Sequence, residues 1–192
     1  MKGQRHWGAG WIHEVMMVER RWVMFGAAAI VLTGCLGKTD EVGVEFHRNT
    51  KAPISSTTRF DAERFAGLWH IQAEFLHAEE EALRGAVEFR AMAGKVAQIA
   101  LHGPTSRGFG VTDIYDVAQP MAGRFTLGQK PYQTEYWVLW VDDGFRTAAI
   151  GTPSGSFGWI LDRDRKGGKD RIKAAKEVLE FNGYNMARLH MY

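Results

Sequence analysis

Seven histidines, one cysteine, the run Glu79-Glu80-Glu81 and the pair Asp162 and Asp164 are the side chains of this 192-residue sequence best suited to start a reaction or hold a metal. His6, His13, His47, His70, His77, His102 and His190 include no two residues four apart, the spacing that puts two imidazoles on one helix face. Each therefore reads as a solvated or structurally satisfied histidine. A single Cys closes off multi-cysteine zinc modules and an internal disulfide framework. Gly167-Gly168-Lys169-Asp170 lacks the Ser/Thr and the earlier Gly of a phosphate-cradling loop, and reads as a turn. Ser154 and Ser156 fall outside the Gly-x-Ser-x-Gly frame of a nucleophile elbow, so hairpin chemistry accounts for them. The three glutamates read as a solvated charge run, and Asp162 and Asp164, which flank Arg163, as salt-bridge partners. An enzyme would need a buried acid or base, such as His70 or His102 beside a carboxylate in a pocket. The expectation is a protein without catalytic residues, metal or cofactor.

The elements around these residues are short. Hydrophobic residues make up 45% of the chain and charged residues 24%, which fits a globular domain and excludes a disordered one. Apolar or alternating runs occupy 67–75, 85–91, 95–102, 111–118, 123–128, 134–142, 146–152 and 157–163. Gly94, Gly103-Pro104, Pro120, Gly128, Asp142-Asp143-Gly144 and Pro153-Ser154-Gly155 punctuate them. Regular short strands with such turns predict an all-β sandwich or barrel. One helix is predicted from an Asp170 cap to about Asn182, with Ile172, Ala175, Val178 and Leu179 on one side and Gly183 as its C-terminal stop. Arg188–Tyr192 can add a last strand.

The amino-terminal third is different. Residues 22–33 are uncharged and apolar behind Arg20 and Arg21, and twelve residues is too short for a bilayer span, which needs ~20. This is the size of a signal-peptide core. Met-Val-Glu-Arg-Arg from Met17 has the form of a normal start, so translation is expected to begin there. The run ends in Leu32-Thr33-Gly34-Cys35, which resembles the bacterial lipobox, whose Cys is acylated and becomes the first residue. Residues 1–34 would then be the signal peptide, and 35–58 the lipidated Cys35 with a polar tether. The chain carries a formal net charge of +2, but residues 1–34 hold four basic and two acidic side chains. What remains after cleavage has 20 of each sign, so no electrostatic case for nucleic acid survives. Leu36, where Asp would be an inner-membrane signal by analogy, points to the outer membrane of a Gram-negative bacterium with the domain facing the periplasm.

Phe60-Asp61-Ala62-Glu63-Arg64-Phe65-Ala66-Gly67-Leu68-Trp69 resembles the opening of lipocalins, whose first motif is Gly-x-Trp. Residues 136–163 are similar to the second and third motifs in bacterial form. The aspartate-x-x-tyrosine turn appears as Asp142-Asp143-Gly144-Phe145, with Phe for Tyr, and Arg163 matches the third-motif arginine. Gly183-Tyr184-Asn185 followed by Arg188-Leu189 is similar to the apolipoprotein-D-like group of outer-membrane lipocalins. The resemblance spans 59–192 and implies an eight-stranded up-and-down antiparallel β-barrel with one C-terminal helix outside. It gives Gly67, Trp69, Asp142 and Arg163 structural roles. Trp69 would plug the closed end with Arg163 stacked on its indole, and Gly67 would let a neighbour pass closely.

Such a barrel holds one ligand in an interior lined by alternate residues. Strict alternation puts Tyr136, Val138 and Trp140 on one face of 134–142, and Trp137, Leu139 and Val141 on the other. By similarity the Tyr136 face is inward, and Trp159 faces it from the next strand but one. Phe89, Ile99, Tyr115 and Phe125 are weaker candidates, since no motif fixes their register. An aromatic and aliphatic lining suits fatty acids, lysophospholipids or similar lipid-like small molecules, with a Tyr hydroxyl or Trp N–H meeting the headgroup. The competing readings are a structural or interaction lipoprotein with a filled barrel, and a lipid-modifying enzyme. The cavity-cysteine chemistry of some lipocalins is closed here, because the one Cys would be acylated.

Overall fold

The computed structural model describes residues 46–75, 84–128 and 133–192. The run 22–33, Cys35, the start expected at Met17, and His77 with Glu79–Glu81 lie outside the described residues. A one-turn helix, α1 (Ala62–Phe65), leads into the sheet, with the Asp61 side chain accepting from Arg64 N at 3.0 Å as its N-cap. Eight strands follow: β1 (Gly67–Phe75), β2 (Ala86–Met92), β3 (Lys95–Thr105), β4 (Gly108–Met121), β5 (Arg124–Leu127), β6 (Thr134–Val141), β7 (Thr147–Gly151) and β8 (Gly158–Asp162). Each pairs antiparallel with the next, and β1 pairs with both β2 and β8, so the sheet closes into a barrel. Gly103-Pro104, read as a turn, lies inside β3 opposite Gly110 and Phe109. A proline near a strand end gives up one ladder bond and keeps the extended φ.

Two bulges decide which face each side chain uses. Pairing of β1 with β8 slips between Ile71 and Ala73, and pairing of β6 with β7 slips between Val138 and Trp140. An extra residue in one strand flips the alternation beyond it. Trp69 and Ile71 therefore face the inner core while Ala73 and Phe75 face out. In β6, Tyr136, Val138 and Val141 are inner, and Leu139, Trp137 and Trp140 belong to the outer cluster.

The lower barrel is packed solid with Phe65, Trp69, Val87, Phe89, Phe125, Val138, Ile150 and Leu161, each at most 1% exposed. Burying each of these large side chains contributes about 1.5–3 kcal/mol before the entropy of ordering it. A second core lies outside, beneath helix α2 (Lys169–Phe181). Ala175 and Leu179 of α2 are fully buried against Leu139, Ala149 and Ile160, with Ile172 and Val178 beside them. The N-cap is Gly168, not Asp170; Asp170 sits in the first turn, where its charge still faces the positive end of the helix. Gly183, at φ +89°, ends the helix in the left-handed conformation, and Tyr184 N returns to Leu179 O. A 3-10 turn (Met186–Arg188) then delivers β9 (Leu189–Met191), which pairs with Ala73–Phe75 of β1. Because β2 pairs with β1 only over 67–70, β9 fills the part of that edge β2 leaves vacant.

Residues 46–58, expected to be part of a tether, pack instead as a strap across the outside. Arg48 is buried and donates to Asn182 O at 2.9 Å, Pro153 O at 2.6 Å and Ala52 O at 2.5 Å. His47 N bonds Gly155 O, Asn49 N bonds Gly183 O and Thr57 N bonds Val138 O. Polar side chains spent on carbonyls of the β7–β8 loop and helix end give no periodicity, which is why this segment reads as loose in sequence.

Candidate functional site

The closed end is held by charge laid on rings and carbonyls. Trp69 is fully buried and donates its indole N–H to Phe65 O at 2.8 Å. The Arg163 guanidinium sits 3.9 Å from the Trp69 ring centre, the stacking expected from the motif. It also donates to Arg64 O, Phe65 O and Ala66 O at 2.8–3.1 Å, the carbonyls that end α1, and to Leu68 O at 3.0 Å. A Cβ on Gly67, at φ +98°, would stand 3.1 Å from that guanidinium, so the glycine is what lets Arg163 cross. Burial lowers the Arg163 pKa from that of an ordinary arginine. Asp142 closes the β6–β7 turn, accepting from Gly144 N, Arg146 N and Thr147 N and from the Arg146 side chain. Burial alone would raise its pKa, but those donors hold it below the usual carboxylate value. Phe145, in the family's tyrosine position, is buried with φ +54° beneath Arg64, 4.0 Å from its ring centre. Asp162 does not pair with Arg163; it is fully buried and bonded to Arg171 at 3.1 Å and to the Thr147 hydroxyl.

Not every inward side chain is closed off: Tyr136, Trp159, Leu101, Leu127 and Tyr192 pack on the inner core and keep accessible surface, beside a floor of large side chains that keep almost none. Val138, fully buried, belongs to that floor. Phe157 joins the two aromatics, edge-on to Tyr136 at 5.1 Å and to Trp159 at 4.4 Å between ring centres. Burial pushes the Tyr136 phenol up to about 12, with Tyr115 as a second contributor. Three of the four ligand candidates thus face the lumen. Trp140 does not: the bulge after Val138 turns it outward, and Val141 takes its inward place. Among the weaker candidates, Phe89, Ile99 and Phe125 are buried in the inner core, and Tyr115, in register with Ile99, is partly exposed.

Polar groups in the lumen escape sequence reading. Glu74 lies opposite Trp159 in register, accepts from the Trp159 indole N–H at 3.2 Å and from the Tyr192 hydroxyl. Period-two counting from Trp69 puts Glu74 outside, and only the bulge at 71–73 brings it in. Asp113 is two residues before Tyr115, and its register partner Leu101 packs on the inner core. That spacing was the available signal, once β4 had a register. His102 does meet a carboxylate, Glu88 at 3.2 Å, but on the outer face, since the neighbouring Val87 and Phe89 point inward. Arg90 also holds that carboxylate at 2.9 Å and is the main reason the Glu88 pKa lies low. Among the described residues no three His, Cys, Asp or Glu side chains are placed to hold a metal ion.

Comparison with known proteins follows the same outline. A sequence profile described as "Lipocalin-like domain" matches residues 70–192. Temperature-induced lipocalin-1 of Arabidopsis thaliana is 37% identical over 60 residues, covering 31% of this chain and 32% of that protein. The chain thus matches about a third of the length of that curated relative. Insecticyanin from the tobacco hornworm Manduca sexta superposes with a TM-score of 0.55 at 18% identity, covering 72% of this chain and 83% of its own. Lipocalin 12 from rat epididymis gives 0.57 at 15%, covering 72% and 87%. The cockroach major allergen Per a 4 gives 0.55 at 16%, covering 73% and 92%. At these identities the structural likeness is one of fold.

Proposed function

Because the chain belongs to the lipocalin-like family, whose barrels generally bind small hydrophobic ligands, we propose that it carries a lipid-like amphiphile in the lumen of its barrel. A fatty acid or lysophospholipid fits this reading, with the acyl chain against Leu101, Leu127 and Trp159. The carrying observation is a contrast within the inner lining: Tyr136, Trp159, Leu101 and Leu127 keep accessible surface beside large side chains that are almost fully buried. Binding is driven by apolar burial at about 25 cal/mol per Å² before ordering costs. The same contrast counts against a filled barrel. The outward placement of the His102–Glu88 pair counts against chemistry on a ligand in the lumen.

The proposal includes an anchor. Leu32-Thr33-Gly34-Cys35 behind an apolar run supports acylation of Cys35, and with it attachment to the outer membrane, where a lipid carrier would meet its ligand. A diacylglycerol plus an N-acyl chain exceeds the two signals that stable attachment needs. Native mass spectrometry of the full chain, extracted gently from bacterial membranes, tests the carrier reading. A co-purifying fatty acid or lysolipid mass is expected, lost in Trp159→Ala and kept in Trp140→Ala, whose side chain lies outside. An apo mass that takes up no added lysolipid would overturn it.

A further inference from the structure

The charges inside the barrel narrow that class of amphiphiles by the polar end, placing free acids last among them, given that the lumen holds a ligand at all. Asp113 stands in register with Leu101, and Tyr115 with Ile99; both partners pack on the inner core, so Asp113 and Tyr115 face the lumen together. The Asp113 Oδ2 is buried and has no hydrogen-bond partner. Such an atom has lost its water without gaining a partner, a cost that stands until a donor reaches it. Burial, and after it the Asp113 charge, raise the Tyr115 pKa, which places the phenol within the carboxylate's field. Glu74, the other lumen carboxylate, is already engaged by Trp159 and Tyr192, and His190 stands beside it in register on β9.

No compensating cation comes from the described strands. The lysines and arginines in the described strands are Arg90, Lys95 and Arg124, and all three face outward. Arg90 is held by Glu88, Lys95 pairs with the exposed Met92, and Arg124 lies over the outer Trp137 ring at 3.7 Å. The lumen therefore offers a carboxylate oxygen lacking a donor within reach of the Tyr115 phenol, whose charge in turn is felt by Tyr136. A free acid entering head-first would meet like charge where little water screens it. A cationic nitrogen would satisfy the carboxylate.

We propose that the lumen selects amphiphiles whose polar end is a protonated amine, seated on Asp113 beside Tyr115. Calorimetric titration of the full chain at neutral pH with decylamine, decanol and decanoate compares three heads on one tail. The amine is expected to bind about tenfold or more tighter than the acid, with the alcohol between. Asp113→Asn is expected to remove most of the amine's advantage over the alcohol and to improve binding of the acid. Equal affinity for all three, a preference for the acid, or an unchanged order in Asp113→Asn would overturn the proposal while leaving the carrier reading in place. Should none of the three bind, the carrier reading falls and this inference with it. The comparison of amine with acid in the unaltered protein holds independently of how well the variant folds.

Discussion

At the closed end, Asp142 shows how one carboxylate can fix a turn whose backbone is otherwise awkward. It gathers three backbone N–H groups, two of them at 2.5 and 2.7 Å, around a Phe145 held at positive φ. Because its folded pKa lies below the ordinary value, its contribution is complete above about pH 5 and is lost as pH falls through the depressed folded value. Asp142→Asn keeps the size and loses the charge, so a cost of about 1–3 kcal/mol is expected at neutral pH. Urea unfolding of both proteins should show that gap closing below about pH 4, as the carboxyl takes up its proton. A gap that stays constant down to acid pH would contradict this role. Trp69, Arg163 and this turn were legible in the sequence, because each is a residue type with one geometric job at a fixed separation. Glu74 and Asp113 were not. A polar residue in a strand reads as solvent-facing until register is known, and in β1 a bulge reverses the count.

The elements themselves follow from turn chemistry and alternation, and their ends fall within a few residues of where Gly, Pro and Asp break the apolar runs. Facing is harder than existence. In β6 the run Tyr-Trp-Val-Leu-Trp-Val is apolar on both sides, so nothing in the sequence marks the slip at Val138 that sends Trp140 out and Val141 in. The strap is hidden for a different reason: its hold is Arg48 on three backbone carbonyls, a pattern set entirely by the fold. Its seat is tight. A Cβ on Gly155, which sits at φ +77°, would fall 2.2 Å from Arg48 Cγ. Gly155→Ala is therefore expected to displace the strap without opening the barrel. Amide hydrogen exchange would speed up by about tenfold or more at His47, Asn49 and Asn185, whose backbone bonds the strap supplies, and stay unchanged in the inner strands. Unaltered protection at those three amides would show that Arg48 is not what holds the segment.

The whole molecule divides into an inside and an outside. Among the described residues, one core fills the inside of the barrel and a second glues α2 and the strap to the outer wall. On the carrier reading, stability and binding fall to separate residues, so a lumen substitution is expected to alter ligand uptake while the floor and outer core stay intact. The four described tryptophans of the chain's seven make a direct reporter: Trp69 in the floor, Trp159 in the lumen wall, Trp137 and Trp140 outside. The decisive measurement is fluorine NMR of the 5-fluorotryptophan-labelled protein, titrated with a lysophospholipid. Ligand should move the Trp159 resonance, leaving those of Trp137 and Trp140 in place. Shifts confined to Trp137 and Trp140, or no shift at Trp159 at saturating lipid, would contradict a ligand-binding lumen.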